Sequence, residues 1–317
     1  MKLELLQVVF SRPKNLKGGI VMKFLIALDG QRHSLEAARF ISGLDIGEKD
    51  EVRLVHVINF VPLIHDIEDY SGVIFNIKQE IAPRILDEAV ELFKDTSAVL
   101  STSVVEGEPV EKILEVARDE EADLIVLGSK GLKGLKRILI GSVARDVVVK
   151  STIPVLLVRE SLWDVEGRLR ILFATDGSEY AYSASEVLSA VPFPTDSEIT
   201  LIHVIQSAVH DIPERFYIEV DDAMKVRVAE IRQKEFAHAE EILDRTERIL
   251  RKRYSDIKTV TKVGEPSTEI LSYADKMNPH IIVTGCRGLK GIKGLLGSVS
   301  RDVMRYASSS VLIAKRC

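Results

Sequence analysis

Apolar residues in this chain gather in short runs separated by amphipathic stretches. Phe24–Leu28, Val52–Ile58, Ser103–Val105, Leu124–Leu127 and Val155–Val158 are β-branched or aliphatic and nearly unbroken in apolar character, as strands buried on both faces must be. Between them the period lengthens. Pro109 opens a stretch in which Val110, Ile113, Leu114 and Ala117 recur at helical spacing, with proline where a first helical turn has no N–H to lose. Strands alternating with helices predict an α/β fold of the Rossmann-like kind: a parallel, doubly wound sheet with helices on both faces and right-handed crossovers. Its ligand crevice lies beyond the carboxyl ends of the strands.

The whole pattern occurs twice. Lys23 to Gly30 matches Arg170 to Gly177, and Leu54 to Ile58 matches Leu201 to Ile205, at one constant offset. Val105 to Pro109 matches Lys262 to Pro266, and Gly128 to Gly134 matches Gly285 to Gly291, at a longer one. The second copy therefore carries extra residues between its second and third strands, in the charged stretch around Pro213 to Arg253. A fixed internal repeat of this size is one structural unit used twice. The predicted organisation is an N-terminal extension, 1–21; a first five-stranded domain, 22–158; a linker, 159–169, holding the single tryptophan, Trp163; and a second five-stranded domain, 170–317. Each domain ends in a short apolar strand, Val155–Val158 and Val311–Ala314, whose bare edge invites pairing. The halves are thus expected to form a pseudo-dimer within the chain, with homodimerisation as a further option.

Composition narrows the class. Of 317 residues, 46% are apolar, 29% charged and 6% aromatic, the balance of a globular α/β protein. With no bilayer-length apolar run and no secretory leader pattern, the expected location is the cytoplasm, without a membrane partner. A net charge of −5 argues against nucleic acid as a partner, since its binders show a basic face. The two cysteines, Cys286 and Cys317, lack disulfide-framework or zinc spacing and read as incidental small residues.

Against that acidic background the segment Gly128-x2-Gly131-x9-Gly141-Ser142 stands out. It follows a strand and precedes a helix, so its glycines let main chain approach a ligand while the helix start offers N–H donors and a positive dipole end. Lys130, Lys133, Lys136 and Arg137 lie near or within it, and no acidic residue falls between Gly128 and Ser142. Phosphate is the guest such a loop suits. Ser142 is also expected to cap the helix that follows. The second copy repeats the pattern at Gly285, Gly288, Gly297 and Ser298 with Arg287, Lys290 and Lys293, but eight residues, not nine, separate Gly288 from Gly297. The other informative position is the aspartate ending the first strand of each copy, Asp29 and Asp176. Its carboxylate is placed to accept from a base amine or ribose hydroxyl, or else to hold the Asp-Gly turn. His56 and His203 sit inside apolar strands without metal-spaced partners and read as satisfied core histidines. The P-loop pattern, the dinucleotide fingerprint and any nucleophile or general base at hydrolase spacing are absent. No catalytic residue and no metal ligand is assigned.

On these motifs both halves resemble the universal stress protein domain, over nearly the whole chain from Met22 to Lys315. Gly128, Gly131, Gly141 and Ser142 match the loop of that family's ATP-binding branch. The resemblance implies that Asp29 and main chain near Val57 read adenine, that the first glycines approach ribose and phosphates, and that Gly141, Ser142 and Val143 hold phosphate. In copy two the same roles fall on Asp176, Val204, Gly285, Gly288, Gly297, Ser298 and Val299. The expected function is a stress-response regulator binding ATP, ADP or AMP, with or without Mg2+, and turning it over weakly if at all. A slow nucleotide hydrolase and a non-binding dimerisation scaffold are the alternatives.

Overall fold

The computed structural model describes residues 21–59, 68–129, 140–159, 168–207, 221–286 and 296–315. The first copy runs β1 (Lys23–Leu28), α1 (Arg32–Ser42), β2 (Glu51–Ile58), α2 (Glu68–Val90), β3 (Val99–Glu106), α3 (Pro109–Asp119), β4 (Leu124–Ser129), α4 (Ser142–Lys150) and β5 (Val155–Arg159). The second runs β6 (Arg170–Ala174), α5 (Glu179–Ala190), β7 (Glu198–Ile205), α6 (Asp222–Leu250), β8 (Asp256–Val263), α7 (Pro266–Met277), β9 (Ile281–Gly285), α8 (Ser298–Tyr306) and β10 (Ser310–Ala314). Pro109 and Pro266 stand at the first helical position, each behind a glutamate whose side chain accepts a main-chain N–H, satisfying a donor the helix start would otherwise leave bare. The extra residues of copy two lengthen α6, 29 residues against 23 in α2, and the stretch of chain between β7 and α6.

Strand order is β3-β2-β1-β4-β5-β10-β9-β6-β7-β8, one continuous sheet of ten strands. Within each half the pairings are parallel; only the seam is antiparallel, with Val311 opposite Leu157, Leu312 opposite Leu156 and Ile313 opposite Val155. The two five-stranded sheets expected from the repeat are thus halves of one sheet. Strand side chains alternate between faces with period two. Phe24, Ile26, Leu124, Val126 and Leu156 join α1, α2, α5 and α6 on one side. Leu25, Ile125, Leu127, Val155 and Leu157 join α3, α4, α7 and α8 on the other. Both apolar layers cross the seam, Leu156 with Leu312 on one face and Leu157 with Ile313 on the other. Phe40 and Phe193, one from each copy, bring their ring centroids to 6.2 Å.

The edge strands behave differently. β3 is half exposed along its length, so its apolar pattern dilutes into polar alternation, and the strand extends well beyond the short run at Ser103–Val105. β5 runs through Arg159, a residue placed by sequence in the linker. Among the described residues no helix is long and apolar enough to cross a membrane.

Candidate functional site

The chain leaves β1 on the face of α1 and β4 on the face of α4, although β1 and β4 are paired neighbours. Two connections that part to opposite faces open a crevice between the carboxyl ends of the two strands. Asp29 stands on one lip, directly after β1. Gly30 turns with φ +75°, a conformation costly for any other residue, and a Cβ there would meet Ile85 at 2.8 Å. The turn fixes the carboxylate: Oδ1 accepts from the N–H of Gln31 at 2.9 Å and Oδ2 lies 3.3 Å from Nε2 of His33. The N–H of Asp29 donates to Oγ of Ser34. Burial pushes the carboxyl pKa up, but hydrogen bonding by His33, Ser34 and Gln31 outweighs it and holds Asp29 well below the usual carboxylate range. The group is a carboxylate with one side still open, its side chain 56% exposed.

His56 is partly buried and its Nδ1 bonds to the carbonyl of Leu28 at 2.8 Å; His203 bonds in the same way to Thr175 at 2.9 Å. These are satisfied structural histidines pinning the strand ends before Asp29 and Asp176. Burial lowers the pKa of His203, against the opposing pull of the Thr175 bond and the Asp176 charge. Val57 lies one residue past the last β1–β2 pair, Leu28 with His56, so its main chain reaches the open edge of the sheet.

On the opposite lip Gly128 has a reason of its own to be glycine. A Cβ there would sit 2.1 Å from the carbonyl oxygen of His33, so the end of β4 and the first turn of α1 pack main chain to main chain. Next comes Ser129, buried, with an Oγ that finds no partner among the described residues. Gly131 and the cationic side chains of the loop lie outside the described residues, as do Gly288, Arg287, Lys290 and Lys293. The chain re-enters at α4, where Gly141, not Ser142, occupies the N-cap position and, being glycine, offers no side-chain cap. Ser142 is the first helical residue, so the expected N-cap is corrected to Gly141. Ser298 stands likewise behind Gly297. Gly141 is exposed, with open space where a Cβ would project. Val143 beside it is half-buried against the α4 side of the sheet.

The second crevice, between β6 and β9, is built on the same plan with tighter ties. Asp176 accepts from the N–H of Ser178 at 3.1 Å, Gly177 turns with φ +74° against Ile242, and Tyr180 stands where copy one has His33. Val204 and Val299 are half-buried like their counterparts. Gly285 approaches the carbonyl of Tyr180, at 3.2 Å for a Cβ, less closely than Gly128 does His33. Gly297 donates its N–H to the Cys286 carbonyl at 2.9 Å, pinching the loop at its base. Oγ of Ser300 donates to the Gly285 carbonyl at 2.6 Å, where copy one has Ala144. Cys286 is disulfide-bonded and not incidental as expected; the other cysteine, Cys317, lies outside the described residues.

Two crevices of this kind, each with an acidic strand end facing a glycine-led helix, fit the match to the universal stress protein family model at residues 21–159 and 167–315. The chain belongs to this family. A universal stress protein of Mycobacterium bovis is 26% identical over 320 residues, covering 96% of this chain and 99% of its own length. One from Methanocaldococcus jannaschii is 32% identical over 139 residues, 44% of this chain and 82% of its own. The crystal structure of a universal stress protein from Archaeoglobus fulgidus superposes with a TM-score of 0.60 at 25% identity, covering 93% of this chain and 98% of its own.

Within this family frame, sequence reasoning overlooked His33, Ser34 and Ser129. The spacing Asp29-x3-His33 puts an imidazole one helical turn from the carboxylate, a signal that was present but short. Ser129 carries none until its burial is known. Among the described residues no group of three His, Cys, Asp or Glu side chains is placed to hold a metal.

Proposed function

We propose that this universal stress protein is a stress-response regulator that binds an adenine nucleotide, ATP, ADP or AMP, in the crevice of domain one, and does so without fast turnover. The observation that carries this reading is the pairing of a fixed carboxylate, Asp29, with a glycine-led helix start at Gly141 and Ser142, on the two lips of one switch-point crevice. The helix start leaves several N–H groups and the Ser142 hydroxyl for phosphate, and Asp29 offers acceptors to base or sugar. Gly128, Gly131, Val57 and Val143 complete the contact set of this reading. Its counterpart in domain two comprises Asp176, Val204, Gly285, Gly288, Gly297, Ser298 and Val299, behind a loop tied at its base. Any Mg2+ would be held chiefly by the phosphates. The reading keeps the protein in the cytoplasm, where the nucleotide is at hand.

Gly141→Asp tests this reading without a folding penalty to confuse it. The site is open, φ is −57°, and aspartate is a favoured N-cap that complements the helix dipole. Stability should hold or rise, whereas a carboxylate facing the triphosphate should weaken ATP binding to domain one at least 10-fold, on the order of 1.4 kcal/mol. Calorimetric titration of the wild type and the variant, each with domain two blocked by Gly297→Asp, reads this directly. Unchanged affinity would sink the phosphate assignment.

A further inference from the structure

The geometry points to a reciprocal latch in which each domain caps, with one buried cation, the carboxyl end of the phosphate-facing helix of the other, so that Lys315 positions α4 and Arg159 positions α8. The inference rests on the nucleotide reading for what the helices do, and on the structure for how they are held.

Arg159 ends β5 in domain one and is 2% exposed. Its guanidinium reaches across the seam to main-chain carbonyls where α8 of domain two ends: Met304 at 2.5 Å, Ser309 at 2.9 Å, and Ala307. Lys315 follows β10 in domain two and is 5% exposed. Its Nζ reaches the carbonyls where α4 of domain one ends: Ser151 at 2.7 Å, Val149 at 3.3 Å, and Val148. The correspondence is positional. Arg159 and Lys315 occupy one place in the repeat, and the offset relating them carries Val148 onto Met304 and Ser151 onto Ala307. The last turn of a helix leaves carbonyls unpaired and partly negative, and a cation there is bound by both hydrogen bonds and dipole. Burial alone lowers the Arg159 pKa, to about 10, so the group keeps its charge at neutral pH.

The functional consequence follows from where the other ends of these helices lie. α4 begins at Gly141 and Ser142, α8 at Gly297 and Ser298, the two proposed phosphate positions. Each helix spans nine residues, about 13 Å, and is anchored at its carboxyl end by the opposite domain. Occupation of one crevice therefore bears on a helix held by the domain that contains the other crevice, a physical route for coupling between the sites.

The test exploits the crossing. Arg159 pairs along the sheet with Ser129 of crevice one, so a merely local role predicts that Arg159→Met disturbs domain one. The latch predicts the reverse. Lys315→Met should weaken ATP at domain one about 5-fold or more, read by calorimetry in full-length protein carrying Gly297→Asp, while Arg159→Met in that background should shift it less than 2-fold. Amide hydrogen exchange of ligand-free protein should quicken in 142–151 for Lys315→Met and in 298–309 for Arg159→Met. Arg159→Lys and Lys315→Arg, each taking the residue its counterpart uses, should restore both readouts, which separates the latch from general misfolding. Exchange that quickens in the variant's own domain would overturn the latch. Crossed exchange with unaltered ATP affinity would overturn the coupling while leaving nucleotide binding intact. No ATP binding by the wild type would overturn the nucleotide reading itself, and with it the coupling.

Discussion

Gly128 and Gly141 belong to one motif, yet they are glycines for opposite reasons. At Gly128 the neighbour is the molecule's own main chain, with the His33 carbonyl where a Cβ would be. Neither group is the end of a flexible side chain, so Gly128→Ala has to push β4 away from α1. The expected cost is about 1–3 kcal/mol or more, and urea denaturation of domain one should show it; Gly285→Ala, with more room against Tyr180, should cost less. Equal losses for the two alanines would contradict the packing argument. At Gly141 space is open, and only a ligand gives a side chain anything to collide with. The sequence showed that both were glycines after a strand and before a helix, but not which faced protein and which faced solvent, because that distinction depends on the placement of α1 about a hundred residues away in the chain. Asp29 was legible from its strand-end position; of its partners, His33 gave only the short Asp29-x3-His33 spacing and Ser34 gave none, since single polar residues in a helix start carry no period. Those partners give a pH expectation. A carboxyl held below its unfolded value, about 3.9, contributes stability that is complete above about pH 4 and is lost as pH falls through the folded-state value. Carboxyl-carbon NMR should put the Asp29 midpoint clearly below that of an unfolded reference, and a midpoint at or above about 4 would remove the His33 contact from the description.

At the scale of elements, strands buried on both faces were readable almost to the residue because burial forces continuous apolar runs. Leu124–Leu127 and Val155–Val158 lie in the middle of the sheet, and the observed β4 and β5 extend them by only a residue or two. The edges were less readable. β3 and β8 pair on one side only, and no residue of either is fully buried, so the signal weakens. The long α6 was visible only as extra charged sequence; its N-terminal half is almost wholly exposed and only its last turns pack, through Ala239, Ile242, Leu243, Thr246 and Leu250. Tyr254 closes that packing. Its ring is 1% exposed and its hydroxyl donates to the Leu188 carbonyl at the end of α5, at 3.0 Å. Tyr254→Phe keeps the ring and removes the donor, leaving a buried carbonyl short of a partner, so a loss of about 1–2 kcal/mol is expected in denaturant titration. Burial also pushes the Tyr254 pKa up, to about 12. An acid raised in the fold adds stability that is intact below its unfolded value, about 10, and declines as pH rises through it. The wild type should therefore lose stability between about pH 10 and 12 to a degree that Tyr254→Phe does not, and parallel alkaline profiles for the two proteins would exclude Tyr254 as the cause.

At the scale of the molecule, the repeat, the parallel halves and the edge strands awaiting a partner were all contained in the sequence, and the seam follows from them: an apolar edge strand left bare is an invitation to pair. What the repeat did not disclose is how completely the seam is sealed. Val155, Leu156, Leu157, Val311, Leu312 and Ile313 are each 0% exposed, both apolar layers pass through it, and Arg159 and Lys315 cross it in both directions. Related chains do not all carry the second half, since 139 residues of this protein account for 82% of the Methanocaldococcus jannaschii relative. The domain is thus a unit that can exist without a covalently attached twin. Cut from its partner after Arg159, domain one would present the β5 edge and an uncovered Leu156–Leu157 pair to solvent. A strand that pairs antiparallel with its own repeat can pair antiparallel with its own copy, because an isologous two-fold contact repeats the same groups on both sides. Domain one alone should consequently sediment as a dimer at micromolar concentration, and Leu157→Pro, which removes a main-chain donor on the β10 side of β5 and an apolar contact opposite Val311, should yield a monomer. In the full chain the same proline should open the seam without dissociation, seen as faster amide exchange in both β5 and β10. A monomeric, well-folded domain one would mean that the seam is held by the linkage between the halves and not by the complementarity of their edges.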